Sequence, residues 1–245
     1  MKNWLLSPGL FVAVSLTCIA CGSLPGRPAA NALPVNPDDV TDFAILYEAN
    51  CSGCHGRNGQ GGGPALSLAD PVYLAIADES VMKKAAENGI AGTSMAAFAR
   101  SAGGLLTNKQ VEIIVNGIRQ RYSNPHILAG ITPPPYAAKL GDASRGAGVF
   151  QTFCASCHGP EGKGGPKASS IVNGSFLALL TDQELRTLTI VGRPDLNAPD
   201  WRNNVPDKPM SDQDISDVVA WLASQRPKYP GQPFAAPAKS EGGNR

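Results

Sequence analysis

The sequence contains few aromatic residues, few histidines and little net charge. Of its 245 residues, 6% are aromatic and three are His, and the formal net charge is +1. This charge gives no electrostatic support for a nucleic-acid partner. A nucleophile triad, a Walker loop and a Rossmann fingerprint are also missing, so any catalysis would have to take place at a bound group. The chain also contains 27 Gly and 21 Pro, so its few aromatic residues provide too little apolar volume for a large hydrophobic core at this length.

Two of the three histidines end a short cysteine motif that occurs twice. Residues 51–55 read Cys-Ser-Gly-Cys-His, and residues 154–158 read Cys-Ala-Ser-Cys-His. This pattern attaches c-type haem: two thiols bond to the porphyrin vinyl groups and the His binds iron. Zinc, the alternative for such a motif, would need a second pair of ligands near by, and the sequence offers none. We therefore predict two covalent haem c groups, which would fill the missing core volume and be held by Cys51, Cys54, His55, Cys154, Cys157 and His158.

The N-terminal segment predicts export. Lys2 precedes an apolar run over residues 4–20, which is typical of a signal peptide covering residues 1–20. Cys21 and its flanking residues resemble a bacterial lipobox, in which the cysteine is lipidated and becomes the mature N-terminus. A later cleavage near residues 29–32 would instead give a soluble periplasmic protein, and an uncleaved membrane anchor is the third alternative. We expect a lipid-anchored protein on the periplasmic side of a bacterial membrane.

An internal repeat organises the rest of the chain. Residues 70–98 align without a gap on residues 173–201, and each unit has a helix before the cysteine motif, a Gly-Pro loop after it, a middle helix and a last helix. The first helices are predicted over residues 39–50 and 144–153. Capping boxes formed by Thr107 with Gln110 and by Thr181 with Glu184 predict the start of the last helix in the first unit and of the middle helix in the second. Both last helices carry apolar residues at helical spacing, which predicts one buried face on each. The predicted segments are a signal peptide (1–20), a flexible tether (21–37), domain 1 (38–122), a stiff Pro-rich linker (123–141), domain 2 (142–226) and an extended tail (227–245).

The two units resemble the class I cytochrome c family in a tandem, dihaem form. The resemblance covers nearly all of residues 38–226 and rests on the cysteine motifs and the helices around them. It implies an all-α fold in each domain, with the first and last helices crossing near the haem. In that family the crossing usually pairs a glycine with an aromatic residue. We therefore expect Phe43 to cross Gly117, and Gly146 to cross Trp221, with the small and large partners exchanged.

Domain 1 contains a loop that resembles the family's axial-methionine loop. The loop reads Gly-Thr-Ser-Met over residues 92–95, which makes Met95 the candidate sixth ligand of haem 1. A thioether ligand raises the potential of the iron, as suits a carrier of single electrons. Met82 aligns with Leu185 of the second unit, so we assign it to the core.

Domain 2 departs from this pattern. Met95 lies 40 positions after His55, and the same spacing from His158 reaches Ala198, which cannot bind iron. For the sixth ligand of haem 2, the sequence therefore leaves three alternatives. Met210 is one, His126 of the linker is another, and the third is an iron that is vacant, bound by water or bound by a partner molecule.

These features predict a dihaem electron carrier that relays single electrons between respiratory or dehydrogenase partners. A haem enzyme or small-ligand binder acting at an open haem 2 is one alternative, with Arg193, Asp195 and Asp200 as candidate acid or base groups. The other alternative is a ligand sensor or an electron-transfer subunit of a larger membrane complex. A carrier is favoured over an enzyme, because the sequence offers no catalytic motif apart from the haem sites.

Overall fold

The computed structural model describes residues 35–62 and 65–227. The predicted signal peptide, the lipidation candidate Cys21, most of the tether and the tail from residue 228 onward lie outside these residues. The described residues from Val40 onward belong to one compact unit. Residues 35–39 belong to another unit and contain a single 3-10 turn, Pro37–Asp39.

The described residues are helical and contain no β-strand. Their regular elements are ten α-helices, five in each half of the repeat, and three short 3-10 helices, Pro37–Asp39, Arg100–Ala102 and Pro194–Leu196. In chain order they are α1 (Phe43–Asn50), α2 (Ser52–His55), α3 (Pro71–Ile76), α4 (Glu79–Asn88), α5 (Asn108–Tyr122), α6 (Ala143–Phe153), α7 (Ala155–His158), α8 (Gly174–Ala178), α9 (Asp182–Val191) and α10 (Asp212–Ser224). The all-α fold expected from the sequence is therefore confirmed.

The first helix starts later than its sequence suggests. We predicted a helix from residue 39, but α1 begins at Phe43. The side chain of Asp42 accepts a hydrogen bond from the backbone N–H of Ile45 at 2.9 Å, so Asp42 caps the helix. An N-cap residue has extended backbone angles, so the helix begins directly after Asp42 and the preceding residues lie outside it.

The middle and last helices begin at the predicted capping boxes. Thr107 and Gln110 cap α5 reciprocally, and Thr181 and Glu184 do the same for α9. Each pair satisfies backbone N–H groups that would otherwise lack partners at a helix start. The apolar faces predicted for α5 and α10 are buried as expected, through Val111, Ile114, Val115, Ile118, Ile215, Val218, Val219 and Leu222.

The expected helix crossings are present in both domains. A Cβ atom added to Gly117 of α5 would lie 2.6 Å from Cε2 of Phe43 in α1. A Cβ atom added to Gly146 of α6 would lie 2.8 Å from Cβ of Trp221 in α10. Neither distance leaves room for a side chain. The exchange of small and large partners between the two domains is therefore confirmed.

The linker packs against domain 2. The buried guanidinium of Arg186, in α9, donates two hydrogen bonds to the carbonyl oxygen of Pro135, at 3.1 Å from Nε and 2.8 Å from Nη2. It also donates to Oγ of Ser216 at 3.1 Å and pairs with Asp212. Because Arg186 satisfies the backbone of the linker, this stretch behaves as part of domain 2.

Candidate haem sites

The first cysteine motif is a short helix whose histidine is held by the following loop. Cys51 occupies the N-cap position of α2 without a capping side-chain hydrogen bond, and His55 is the last residue of the helix. Nδ1 of His55 lies 2.9 Å from the carbonyl oxygen of Leu66. A carbonyl oxygen only accepts hydrogen bonds, so Nδ1 carries the proton and Nε2 keeps its lone pair. The imidazole therefore presents Nε2 in a fixed direction.

The second motif repeats this arrangement. Nδ1 of His158 lies 2.8 Å from the carbonyl oxygen of Ser169, so its Nε2 also keeps a lone pair. The loop that carries this acceptor is closed by a hydrogen bond from the N–H of Gly164 to the carbonyl oxygen of His158, at 2.8 Å. Gly61 makes the same bond, also at 2.8 Å, to His55. A fixed Nδ1 sets the orientation of a metal-binding imidazole and raises its basicity.

Sequence reasoning did not identify the two carbonyl acceptors, although a signal for them was present. Leu66 and Ser169 each lie 11 positions after the histidine that they hold. Both lie two or three positions after the proline that ends the Gly-Pro loop, and the internal repeat could have related them. The side-chain identities differ because only the backbone oxygen is used.

The four motif cysteines are free thiols, as covalent haem attachment requires. Burial raises the pKa of Cys51 to about 11 and that of Cys154 to about 12, and the neighbouring cysteine of each motif adds to the rise. Both are therefore protonated thiols at neutral pH. Among residues 35–62 and 65–227, no group of three or more His, Cys, Asp or Glu side chains could hold a metal ion. Two thiols beside a fixed imidazole fit haem c at both motifs.

The loop that contains Met95 folds back onto the end of α4. The N–H of Ile90 donates to the carbonyl oxygen of Met95 at 2.9 Å, and the N–H of Met95 donates to Oγ1 of Thr93 at 3.1 Å. Gly89 has a φ of +67°, and a Cβ atom there would lie 2.6 Å from the carbonyl oxygen of Met95. The close approach of the loop therefore requires glycine. Met82 lies elsewhere, buried within α4.

In domain 2 the same backbone arrangement brings Ala198 to the position that Met95 has in domain 1. Gly192 has a φ of +73°, and a Cβ atom there would lie 2.6 Å from the carbonyl oxygen of Ala198. The N–H of Arg193 donates to that oxygen at 2.9 Å, as Ile90 does in domain 1. The two loops therefore correspond, and the residue at the methionine position has only a methyl group.

Met210 corresponds to a core leucine of domain 1. Its N–H donates to the carbonyl oxygen of Trp201 at 2.9 Å, and the N–H of Leu106 makes the equivalent bond to Phe98 at 2.8 Å. Met210 and Leu106 are both buried, at 3% and 6% exposure, directly before the N-caps of α10 and α5. His126, the other candidate ligand, is exposed in the linker.

The candidate acid and base groups near Ala198 are engaged in ion pairs. Arg193 pairs with Asp195, with 2.7 Å between Nη2 and Oδ2, and Asp200 pairs with Arg202, with 2.6 Å between the same atom types. The first pair lowers the pKa of Asp195 through a hydrogen bond from Arg193. Sequence reasoning did not single out Arg202.

Two helical domains, each with free thiols beside a fixed imidazole, define a protein that binds haem covalently. Residues 143–226 match the family described as cytochrome c, and residues 38–116 match the family described as cytochrome c oxidase, cbb3-type, subunit III. The chain therefore belongs to the c-type cytochromes and has two tandem cytochrome c domains, which fit two covalent haem c groups.

Several known proteins resemble this chain. The CcoP subunit of the cbb3-type cytochrome c oxidase from Azospirillum sp. (strain B510) is 28% identical over 141 residues, covering 51% of this chain and 43% of that protein. The CcoP subunit from Rubrivivax gelatinosus is 28% identical over 135 residues, covering 55% of this chain and 39% of that protein. The chain thus spans about two fifths of the length of these relatives.

Among solved structures, a chain of the reducing HAO-like protein complex from Kuenenia stuttgartiensis is 17% identical to this chain. The alignment covers 78% of this chain and 99% of that one, with a TM-score of 0.44. At that score the similarity supports no structural conclusion. Among the described helices, none has the length and apolar character that crossing a membrane would need.

Proposed function

We propose that this protein is an exported electron carrier that relays single electrons between redox partner proteins on the periplasmic side of a bacterial membrane. Bound haem c supplies a one-electron iron couple at each of two sites. The observation that carries the proposal is the identical support of His55 and His158, whose Nδ1 atoms are held on loop carbonyls at 2.9 and 2.8 Å. The lipidated residue would be Cys21, with residues 21–37 as the tether.

The two haems would differ in their distal ligands. Met95 would bind the iron of haem 1, since its loop approaches the end of α4 at Gly89. Haem 2 would have no strong protein ligand, because Ala198 stands at the corresponding position and the buried Met210 stands where domain 1 has the core residue Leu106. Axial-ligand identity changes haem potentials over a range of roughly 0.8 V. A Met-ligated haem 1 and an atypical haem 2 would therefore give electron flow a direction.

The relatives suggest the kind of partner. Both are named as subunits of a cbb3-type cytochrome c oxidase, and domain 1 matches a family described by that complex. We infer that this chain exchanges electrons with a membrane respiratory complex, as a subunit or as a separate carrier. A dehydrogenase would be the other class of partner.

A second candidate function follows from Ala198 alone. A methyl group at the methionine position would leave the distal side of haem 2 accessible to a small ligand or to peroxide. Arg193 and Asp195, in the same loop, would then be candidate charged groups to assist chemistry. This function would make the protein a ligand binder or a haem enzyme.

The test is low-temperature EPR of the purified full-length holoprotein, combined with an optical redox titration. If haem 2 lacks a strong distal ligand, about half of the ferric iron should be high-spin, and neither Met210→Ala nor His126→Ala should change that share. Ala198→Met should convert the high-spin share to low spin, because it restores a thioether. Met95→Ala should make haem 1 high-spin as well.

Met82→Leu is the matched control, because position 82 aligns with Leu185 of domain 2. This variant removes a methionine that is not expected to bind iron, so it should leave the spectrum unchanged. Two low-spin haems in the wild type, one of them lost in Met210→Ala or His126→Ala, would refute the open site and identify the ligand. The carrier role itself would be contradicted by steady turnover of peroxide without any partner protein, a result that supports the second candidate.

A further inference from the structure

The surroundings of the two motif histidines differ at one buried aromatic residue. Tyr47, in α1, lies four positions before Cys51 and is 3% exposed. Its hydroxyl group donates a hydrogen bond to the carbonyl oxygen of Gly56, the residue directly after His55, at 2.9 Å. Phe150, in α6, has the corresponding position in domain 2 and is fully buried, but it has no hydroxyl group. Domain 1 therefore contains a bond from its first helix to the end of the motif that Phe150 cannot make.

The bonded carbonyl group belongs to the loop that holds the imidazole of His55. The carbonyl oxygen of Gly56 also accepts the N–H of Gly59 at 3.1 Å, which closes a tight turn. The carbonyl oxygen of Gly59 accepts the hydroxyl group of the buried Ser67 at 3.0 Å. Ser67 directly follows Leu66, whose carbonyl oxygen lies 2.9 Å from Nδ1 of His55. A chain of hydrogen bonds thus connects α1 to the acceptor that fixes the imidazole.

Domain 2 contains the same turn without the bond from its first helix. The N–H of Gly162 donates to the carbonyl oxygen of Gly159 at 3.1 Å, and the hydroxyl group of Ser170 donates to the carbonyl oxygen of Gly162 at 3.1 Å. The ring of Phe150 reaches this turn, since a Cβ atom added to Gly162 would lie 3.4 Å from Cζ of the ring. A phenylalanine at this position is therefore compatible with the folded turn, and the hydroxyl group of Tyr47 has a use other than forming it.

We propose that Tyr47 is a positioning residue that fixes the loop after the first cysteine motif and thereby strengthens the hydrogen bond from Nδ1 of His55 to Leu66. This inference rests on the proposed function, in which His55 binds the iron of haem 1 through Nε2. A stronger Nδ1 hydrogen bond makes the imidazole more basic, and a more basic axial ligand stabilises ferric iron. Tyr47 thus lowers the midpoint potential of haem 1, opposing the increase that a Met95 ligand provides.

The test is Tyr47→Phe in the full-length holoprotein, because this variant places in domain 1 the residue that domain 2 has. The first readout is the solvent exchange rate of the Nδ1 proton of His55, followed by NMR of the reduced, isotope-labelled protein. Because Gly56 keeps its bond from Gly59, one ordinary hydrogen bond is lost, and exchange should become roughly 2- to 12-fold faster. The second readout is the midpoint potential of haem 1, which should rise.

Domain 2 and a second tyrosine provide the controls. In Tyr47→Phe, the Nδ1 proton of His158 should keep its wild-type exchange rate, since the loop of domain 2 is unaltered. Tyr122 is the last residue of α5 and is half-buried, so Tyr122→Phe removes a hydroxyl group of domain 1 that lies outside the loop. This variant should change neither readout.

A His55 exchange rate that stays at the wild-type value in Tyr47→Phe, or a haem 1 potential that does not rise, would overturn the proposal. Equal acceleration at His55 and His158 would also overturn it, because the variant would then loosen the whole protein. If Met95→Ala leaves haem 1 low-spin, the ligand assignment of the proposed function fails, while the exchange rate of the His55 proton still reports on Tyr47.

Discussion

Replacing Gly146 by alanine should destabilise domain 2, because the added methyl group meets the backbone of the crossing helix. Its Cβ would lie 2.7 Å from the carbonyl carbon of Asp217, closer still to the attached oxygen, and 2.8 Å from Cβ of Trp221. Carbon atoms in contact normally lie about 3.5–4.0 Å apart. Helices α6 and α10 would have to separate by roughly 1 Å, and a close-packed interior does not absorb such a shift without loss.

The loss of stability expected for Gly146→Ala depends on which atoms the new methyl group would touch. Overpacking a core typically costs about 1–3 kcal/mol, and we expect the upper part of that range because backbone atoms cannot rotate away. In a domain of this size, that corresponds to a fall in melting temperature of roughly 10 °C or more. Gly117→Ala should cost less, since its Cβ meets the ring of Phe43, which can turn.

Gly148 offers the control within the same helix. A Cβ atom there has no neighbour within 4 Å, so Gly148→Ala should stabilise α6 by roughly 0.5–1 kcal/mol through the unfolded chain. The assay is thermal unfolding of the three holoproteins, followed by the haem absorption and by far-UV circular dichroism. A Gly146→Ala protein that melts at or above the temperature of Gly117→Ala would refute the reasoning.

Two further predictions concern charged groups of domain 2. Arg145 donates two hydrogen bonds to the carboxylate of Asp217 and holds the pKa of Asp217 at about 2, below its value of 3.8 in an unfolded chain. The ionised carboxylate therefore stabilises the fold above pH 3.8, and this contribution is lost as the pH falls towards 2. Asp217→Asn should lower the free energy of unfolding at pH 7 by roughly 1–2 kcal/mol. This is less than the whole pKa shift of Asp217 would give, because Arg145 is half exposed to solvent. Urea titrations of both proteins test this, and a difference in stability between them that is as large at pH 2 as at pH 7 would contradict it. Arg186→Met should cost roughly 2–4 kcal/mol, since the carbonyl of Pro135 and the charge of Asp212 lose their partner; an unaltered unfolding midpoint would disprove it.

Most of the helices could be predicted from the sequence, because their boundaries depend on nearby residues and because the same pattern occurs in both units of the repeat. Capping boxes at Thr107 and Thr181 mark helix starts within four residues, and the haem motifs fix the end of the first helix in each domain. The helix crossing was predictable for a different reason. Gly146 and Trp221 are far apart in the chain, but the family resemblance relates their positions to the motif and to the last helix.

Other features depend on contacts that no local pattern records. The start of α1 was misplaced because Asp39 and Asp42 are both able to cap a helix, and only the folded chain selects Asp42. The link between Arg202 and Ile127 joins a loop to a linker, and neither follows a helical or strand period. Polar contacts of this kind arise from the tertiary arrangement, so they become visible only when the domains are assembled.

The loop of domain 2 that corresponds to the Met95 loop shows how the residue at this position can change without loss of the fold. Arg193 and Ala198 exchange two backbone hydrogen bonds, each of 2.9 Å, and Asn197 between them adopts a left-handed conformation with a φ of 60°. The backbone thus closes the loop by itself, with no contribution from the side chain of residue 198. In domain 1, by contrast, the N–H of Met95 is held by the side chain of Thr93. Because backbone closure does not require a methionine, the loop keeps its shape with alanine at position 198, and under the proposed function this residue alone would change the chemistry offered to haem 2.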